Sequence, residues 1–262
     1  MRRLATTLVR FAALLLLSGV ALQLFFAARI TLMIAVDPQS TTFQRSELWR
    51  LAVDRHRVPW SQEWRPYAQL GEQLKRAVIA SEDARFADHA GFEWDALEAA
   101  WERNQRGQAR ADRLNDQAQR RSAGPATGSV PSAQARPQQA KLVGGSTITQ
   151  QLAKNLFLSG ERNFARKGQE LLIALMLEGL LGKQRILEVY LNNVEWGEGL
   201  FGAQAAARHY FGVDAQRLAA LQAARLAVML PAPKRFEKRP ASPYVLDRAA
   251  TVAARMGGVE LP

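Results

Sequence analysis

Between Gly144 and Glu170 the chain reads GGSTITQQLAKNLFLSGERNFARKGQE, a stretch that crowds glycines, hydroxyls, amides, cations and a carboxylate together. Wound into a helix beginning near Ser146, it sets Thr147, Gln151 and Lys154 along one stripe and Ile148, Leu152 and Leu156 along another. The apolar stripe is for packing, which leaves the polar one for a ligand. The Gly-Gly-Ser entry offers unpaired backbone N–H groups at the positive end of the helix dipole, a setting that favours phosphate or a similar anion. Arg166 and Lys167 add cations at the start of the next helix, and Glu170 adds a carboxylate one turn on. An ordinary capped amphipathic helix followed by solvated basic residues has the same pattern, so the stretch gains meaning only with a partner elsewhere.

That partner is LGEQLKRAVIASEDARFADHAGFEWDAL. Leu70, Leu74 and Val78 recur at every fourth position of a helical pattern, and the next position on their stripe is Glu82. A carboxylate therefore falls where a core residue is expected. Partial burial raises a carboxyl pKa towards neutrality, which turns a glutamate into a useful general base or acid. Asp83 faces differently and could orient a neighbour or hold a cation. A Glu-Asp pair that merely ends a helix in solvent looks the same in sequence, and His89 reads more readily as a structural histidine than as a catalyst.

Four segments now stand in one order: EDARFADHAG from Glu82 to Gly91, GGSTITQQLAKN from Gly144 to Asn155, RKGQE from Arg166 to Glu170, and KQRILEVYLN from Lys183 to Asn192. Together they resemble the peptidoglycan glycosyltransferase family, which forms the first domain of bifunctional penicillin-binding proteins and also stand-alone membrane-anchored enzymes that join lipid II units into glycan strands. The S-x-x-K and K-T-G signatures of a transpeptidase do not occur, so the chain resembles the monofunctional form. The resemblance implies Glu82 as the base that activates the acceptor hydroxyl and Glu170 as a second catalytic carboxylate that positions donor groups or a cation. It gives Lys154, Arg166 and Lys167 to the diphosphate of the donor. Gln151, Thr147 and Ser146 supply neutral hydrogen bonds to substrate, and Asp83 supports the first motif. The partners implied are lipid II, the growing glycan strand, the bacterial cytoplasmic membrane and proteins of cell-wall synthesis or division. A divalent cation such as Mg2+ or Mn2+ bridging the diphosphate is chemically reasonable, although no ligand spacing requires one.

These residues need elements to hold them. The 262 residues, 48% apolar, suffice for one sizeable core with an appended membrane element. Phe11 to Ala28 is eighteen residues without a charge, and apolar character resumes after Arg29 as far as Val36. Arg2, Arg3 and Arg10 precede this run and Arg29 follows it, so the positive-inside tendency puts the N-terminus in the cytoplasm and the bulk of the chain outside the inner membrane, in the periplasm. A cleaved signal peptide is the alternative, against which stand the length of the run and the lack of an Ala-x-Ala site. Residues 1–36 thus read as the cytoplasmic N-terminus and single-pass anchor, 37–69 as a juxtamembrane segment with Trp49, Trp60 and Trp64, and 70–262 as the glycosyltransferase domain.

Net charge is +11, which suits nucleic acid, anionic lipid or a phosphorylated substrate alike. Much of it lies between Arg103 and Lys141, a Gln-, Ala-, Arg-, Ser- and Pro-rich insertion with little to bury, which reads as disordered. Nucleic acid thereby loses its main argument, and the insertion is either a solvated loop or a contact for anionic head groups or a partner. The family resemblance implies a much shorter connection there. The chain contains no cysteine, which excludes thiolate metal sites, and His56, His89 and His209 lack zinc-motif spacing, which argues against a metalloenzyme built on histidine.

Arg166 to Leu181 is apolar nearly all round and suits a central helix. Glu178 within it reads equally well as the partner of a buried cation. Lys183–Asn192, Leu218–Leu230 and Tyr244–Met256 supply further helices, with no run of alternating strands. The fold class expected is mainly α, and the resemblance implies a lysozyme-like two-lobed helical domain with a cleft, behind one N-terminal transmembrane helix. Two other readings share the fold. A lytic, glycan-cleaving enzyme would use the two glutamates but has no use for the cations. A non-catalytic binder of anionic lipid or polymer has no use for Glu82.

Overall fold

The computed structural model describes residues 2–122, 145–158 and 164–262. Its first helix, α1 (Arg2–Leu32), contains the only described span long and apolar enough to cross a membrane, Ala5–Leu32, with a mean hydropathy of 2.2. The last third of α1 behaves differently from the rest. Phe26 and Ile30 are buried, as is Met33 just beyond, and Gln23 exchanges two amide hydrogen bonds with Gln169, at 2.9 and 3.0 Å. The apolar N-terminal helix is thus joined to the domain through the core itself.

Helix α2 (Thr42–Arg55) opens with a reciprocal cap: Gln44 N–H donates to Thr41 Oγ1 and Thr41 N–H donates to Gln44 Oε1. Thr42 Oγ1 then donates to Leu156 O at 2.9 Å. The segment 37–69 is therefore docked rather than strung out. Helix α3 (Glu72–Glu82) buries Leu74, Ala77, Val78 and Ile79 against α9 (Ala220–Met229) and α11 (Pro243–Arg255), as its fourfold apolar spacing predicts. Between them in sequence come α5 (Ile148–Phe157), α6 (Phe164–Leu180), α7 (Lys183–Asn193), a two-stranded antiparallel ribbon of β1 (Glu195–Gly197) and β2 (Leu200–Phe201), and α8 (Ala203–Phe211). A short α10 (Pro233–Phe236) precedes α11. Ile148, Leu152 and Leu156 of α5 are all buried, so the packing stripe is where the sequence places it. The domain is mainly α and of the lysozyme-like helical kind, with the ribbon its one sheet among the described residues.

Residues 93–146 form a separate compact unit. Within it α4 (Trp94–Ser122) runs as one long helix, and this corrects the reading of 103–141 as disordered as far as Ser122. Along it Arg106 donates to Glu102 at 2.8 Å and Gln108 to Asp112 at 3.0 Å, pairs of the i,i+4 kind that support a helix, and Ala111 is buried. The rest of that insertion, 123–141, lies outside the described residues.

The ribbon ties the chain between α2 and α3 to the core. Ser61 N–H donates to Gly199 O, and Phe201 N–H donates to Ser61 O, both at 2.9 Å. Gly199 has φ +71°, and a Cβ there would lie 1.8 Å from Pro59 O. Gly212 has a similar φ of +68° but nothing within 4 Å. Gly212→Ala is expected to cost about 1 kcal/mol through backbone conformation alone. Gly199→Ala must also push the 59–61 segment off the ribbon and is expected to cost about 3 kcal/mol or more, read by urea unfolding. Equal losses at the two positions would show that the ribbon contact carries no weight.

Candidate active site

Helix α3 ends on Glu82, which keeps part of its side chain at the surface while its carboxyl sits among protein atoms. Gln151 of α5 donates from Nε2 to Glu82 Oε2 at 2.9 Å. Tyr190 of α7, 1% exposed, donates its hydroxyl to Gln151 Oε1 at 3.0 Å. Burial pushes the Glu82 pKa up, the Gln151 bond pulls part of the way back, and the neighbouring Asp83 charge pushes up again. This is the sheltered carboxyl that the apolar stripe of α3 predicts.

Asp83 is turned inward and does different work. Its Oδ2 accepts from Ile148 N–H at 3.0 Å and its Oδ1 pairs with His89 Nε2 at 2.8 Å. Gly91 N–H donates to His89 Nδ1, so the network assigns the ring proton to Nε2. Thr147, rather than Ser146, is the N-cap of α5: its Oγ1 accepts from Gln150 N–H at 3.2 Å and donates to Gly91 O at 2.6 Å. Sequence reasoning gave Thr147 to substrate, Asp83 to the support of the first motif, and the start of this helix to a phosphate-like anion. In the structure the anion at the α5 N-terminus is the protein's own Asp83, and both side chains are buried with their bonds made inside the protein. Ser146 is exposed one residue ahead of the cap, at the end of the second unit.

The cations stand on the first turns of α6. Glu170, 4% exposed, accepts from Arg166 Nη1 at 2.9 Å through Oε2 and from Lys167 Nζ through Oε1. One carboxylate thus holds two cations at i−4 and i−3 spacing, leaving Lys167 half exposed. Lys154 is exposed on α5, nearly one turn beyond Gln151. Helix α5 packs against α6, where Thr149 Oγ1 donates to Glu178 at 2.6 Å. Glu178 also accepts from Lys183 Nζ at 2.8 Å, and that ammonium lies 4.5 Å from the Phe86 ring centroid and donates to His89 O. Glu178 is therefore the partner of a shielded cation, and the pair props the turn that leads from Asp83 to Gly91.

The structure brings the predicted residues together in three groups: Glu82 with Gln151, Asp83 with Thr147, and Arg166 with Lys167 and Glu170. Among the described residues no set of three or more His, Asp or Glu side chains is placed to hold a metal ion. The oxygens of Asp83 and Glu170 accept bonds from donors of the protein itself. Tyr190 is the residue that sequence reasoning missed. It sits in phase with the packing residues Ile186 and Leu187 of α7 and is buried with them, and only the aim of its hydroxyl distinguishes it.

A raised carboxyl at the end of α3, bonded to a helix that packs against the one bearing a clamped pair of cations, stands within a mainly α, lysozyme-like frame. The transglycosylase family model matches residues 52–113 and 128–257, and the chain belongs to that family. It is 48% identical to a biosynthetic peptidoglycan transglycosylase of Burkholderia thailandensis over 242 residues, covering 92% of this chain and 82% of that one. It is 46% identical to the protein of the same description from Paraburkholderia xenovorans over 250 residues, 95% and 91% of the two chains. A third, from Paraburkholderia phytofirmans, is 45% identical over 255 residues, 97% and 93% of the chains. The break in the match, 114–127, falls inside the inserted stretch, and its start at residue 52 lies within α2.

Proposed function

We propose that this protein is a membrane-anchored peptidoglycan glycosyltransferase that polymerises lipid II into glycan strands, with Glu82 as general base. The observation that carries this is the Glu82 carboxyl, half-sheltered, raised in pKa and held by Gln151 on the helix that packs against the cation-bearing α6. The relatives, biosynthetic peptidoglycan transglycosylases, supply the polymer. In the reaction Glu82 takes the proton of an acceptor sugar hydroxyl as that oxygen bonds to the anomeric carbon of the donor. The bond from that carbon to the diphosphate breaks, and its electron pair leaves with the lipid diphosphate. Negative charge grows on the leaving group, which is where fixed cations stabilise a transition state most.

Arg166 and Lys167, aligned by Glu170, are the cations assigned to the diphosphate, with Lys154 as a third. Glu170 acts by holding them, while Asp83 and Thr147 fix the start of α5 and so the placement of Gln151. Helix α1 anchors the domain, with Arg2, Arg3 and Arg10 on the cytoplasmic side and the domain on the outer face of the inner membrane. A substrate with a lipid tail is then met within the plane of the bilayer.

Purified full-length protein incubated with labelled lipid II is expected to give lengthening glycan with release of lipid diphosphate. Shortening of preformed glycan would favour the lytic reading, and retention of label without turnover the binder. Either result overturns the polymerase.

A further inference from the structure

We propose that Tyr190 is a positioning residue that acts through Gln151, holding the amide with its nitrogen towards Glu82 and its oxygen towards the phenol. The inference rests on the reading of Glu82 as the base. A primary amide can present either end to a neighbour, and nothing in its own shape decides which. An ionised carboxylate only accepts, so it requires the Gln151 nitrogen. In that orientation the Gln151 oxygen points into the interior, where an acceptor without a donor is costly. The Tyr190 hydroxyl is the donor, at 3.0 Å.

The phenol is suited to the task because it keeps its proton. Burial, and after it the charges of Glu82 and Asp83, push the Tyr190 pKa well above its ordinary value. It therefore remains a donor throughout the range in which a carboxyl titrates. With the amide reversed, Gln151 Oε1 would accept a proton from Glu82 and Nε2 would donate to the phenol oxygen. That arrangement stabilises the protonated acid, which is useless as a base. Tyr190 thus favours the state of Glu82 that can take a proton from the acceptor.

The surroundings leave few competing influences. Asp83 adjoins Glu82, with His89 behind it, and Lys154 lies on α5 past Gln151. From α9, Arg225 turns to the Pro240 carbonyl at 3.2 Å, and on α11 Asp247, Arg248 and Arg255 are exposed.

The test uses the full chain in bilayer discs with Tyr190→Phe, Gln151→Leu and the double variant. Two readouts are taken: carboxyl carbon-13 titration of Glu82 by NMR, and kcat and KM for lipid II against pH. Tyr190→Phe is expected to raise the Glu82 pKa by about half a unit to one unit, since it weakens the bond that lowers it. The acid limb of kcat should move up with it, kcat near neutrality should fall roughly three- to tenfold, and KM should stay within about twofold. Adding Tyr190→Phe to Gln151→Leu should bring no further shift, because the phenol acts only through the amide.

A Glu82 titration unchanged in Tyr190→Phe overturns the proposal, and so does a shift that persists undiminished in the Gln151→Leu background. Retained turnover in Glu82→Gln overturns the base reading alone, because the titration is read without turnover. The two failures are therefore distinguishable.

Discussion

Glu82→Gln is expected to lower the rate of glycan polymerisation by about 10³-fold or more while the protein still folds and binds lipid II. Glutamine keeps the volume of the side chain and can still meet Gln151, so the end of α3 has no reason to move. What it lacks is a site for the acceptor proton at the moment the new glycosidic bond forms. The wild-type rate should also fall on the acid side at a pH above that of an ordinary glutamate, because burial raises the Glu82 pKa. Initial rates with labelled lipid II, alongside a binding isotherm and a thermal melt, separate the outcomes. Turnover within tenfold of wild type in a folded variant would remove Glu82 from the reaction.

Arg166→Ala is the second large effect, with kcat expected to fall about 10²- to 10³-fold. Arg166 gives one donor to the buried Glu170 at 2.9 Å and carries a fork of others. A carboxylate that loses one of its two cations is left less well paired in a sheltered place, so some stability is lost as well. Arg166→Lys restores the charge but not the planar fork, and should recover only part of the loss. The informative comparison is kcat with KM, measured over a range of lipid II concentrations. A change confined to KM would mean that Arg166 binds the donor without favouring its departure, which contradicts the role proposed for it.

Glu82 was legible in the sequence because a carboxylate on the stripe of Leu70, Leu74 and Val78 breaks a periodic rule, and such a break is visible without coordinates. The cation cluster was legible for the same kind of reason, since Arg166, Lys167 and Glu170 lie within one helical turn. Asp83 was not. Its bond to Ile148 N–H joins residues 65 apart, and the sequence can show that a helix start attracts an anion but not which anion arrives. Tyr190 has the phase of a core residue, and a phenol packs as well as any ring. Its hydroxyl acquires meaning only when α7 is laid beside α5. Helix α4 was misread from the opposite direction: a long helix rich in Arg, Gln and Ala has much the same composition as a disordered segment.

The amide pair between Gln23 and Gln169, with Phe26 and Ile30 inside the core, makes α1 a strut instead of a leash. Gln169 directly precedes Glu170, so the helix proposed as the membrane anchor bears on the very turn that grips the two cations. A site mounted this way is held at a fixed distance from the helix proposed as its anchor.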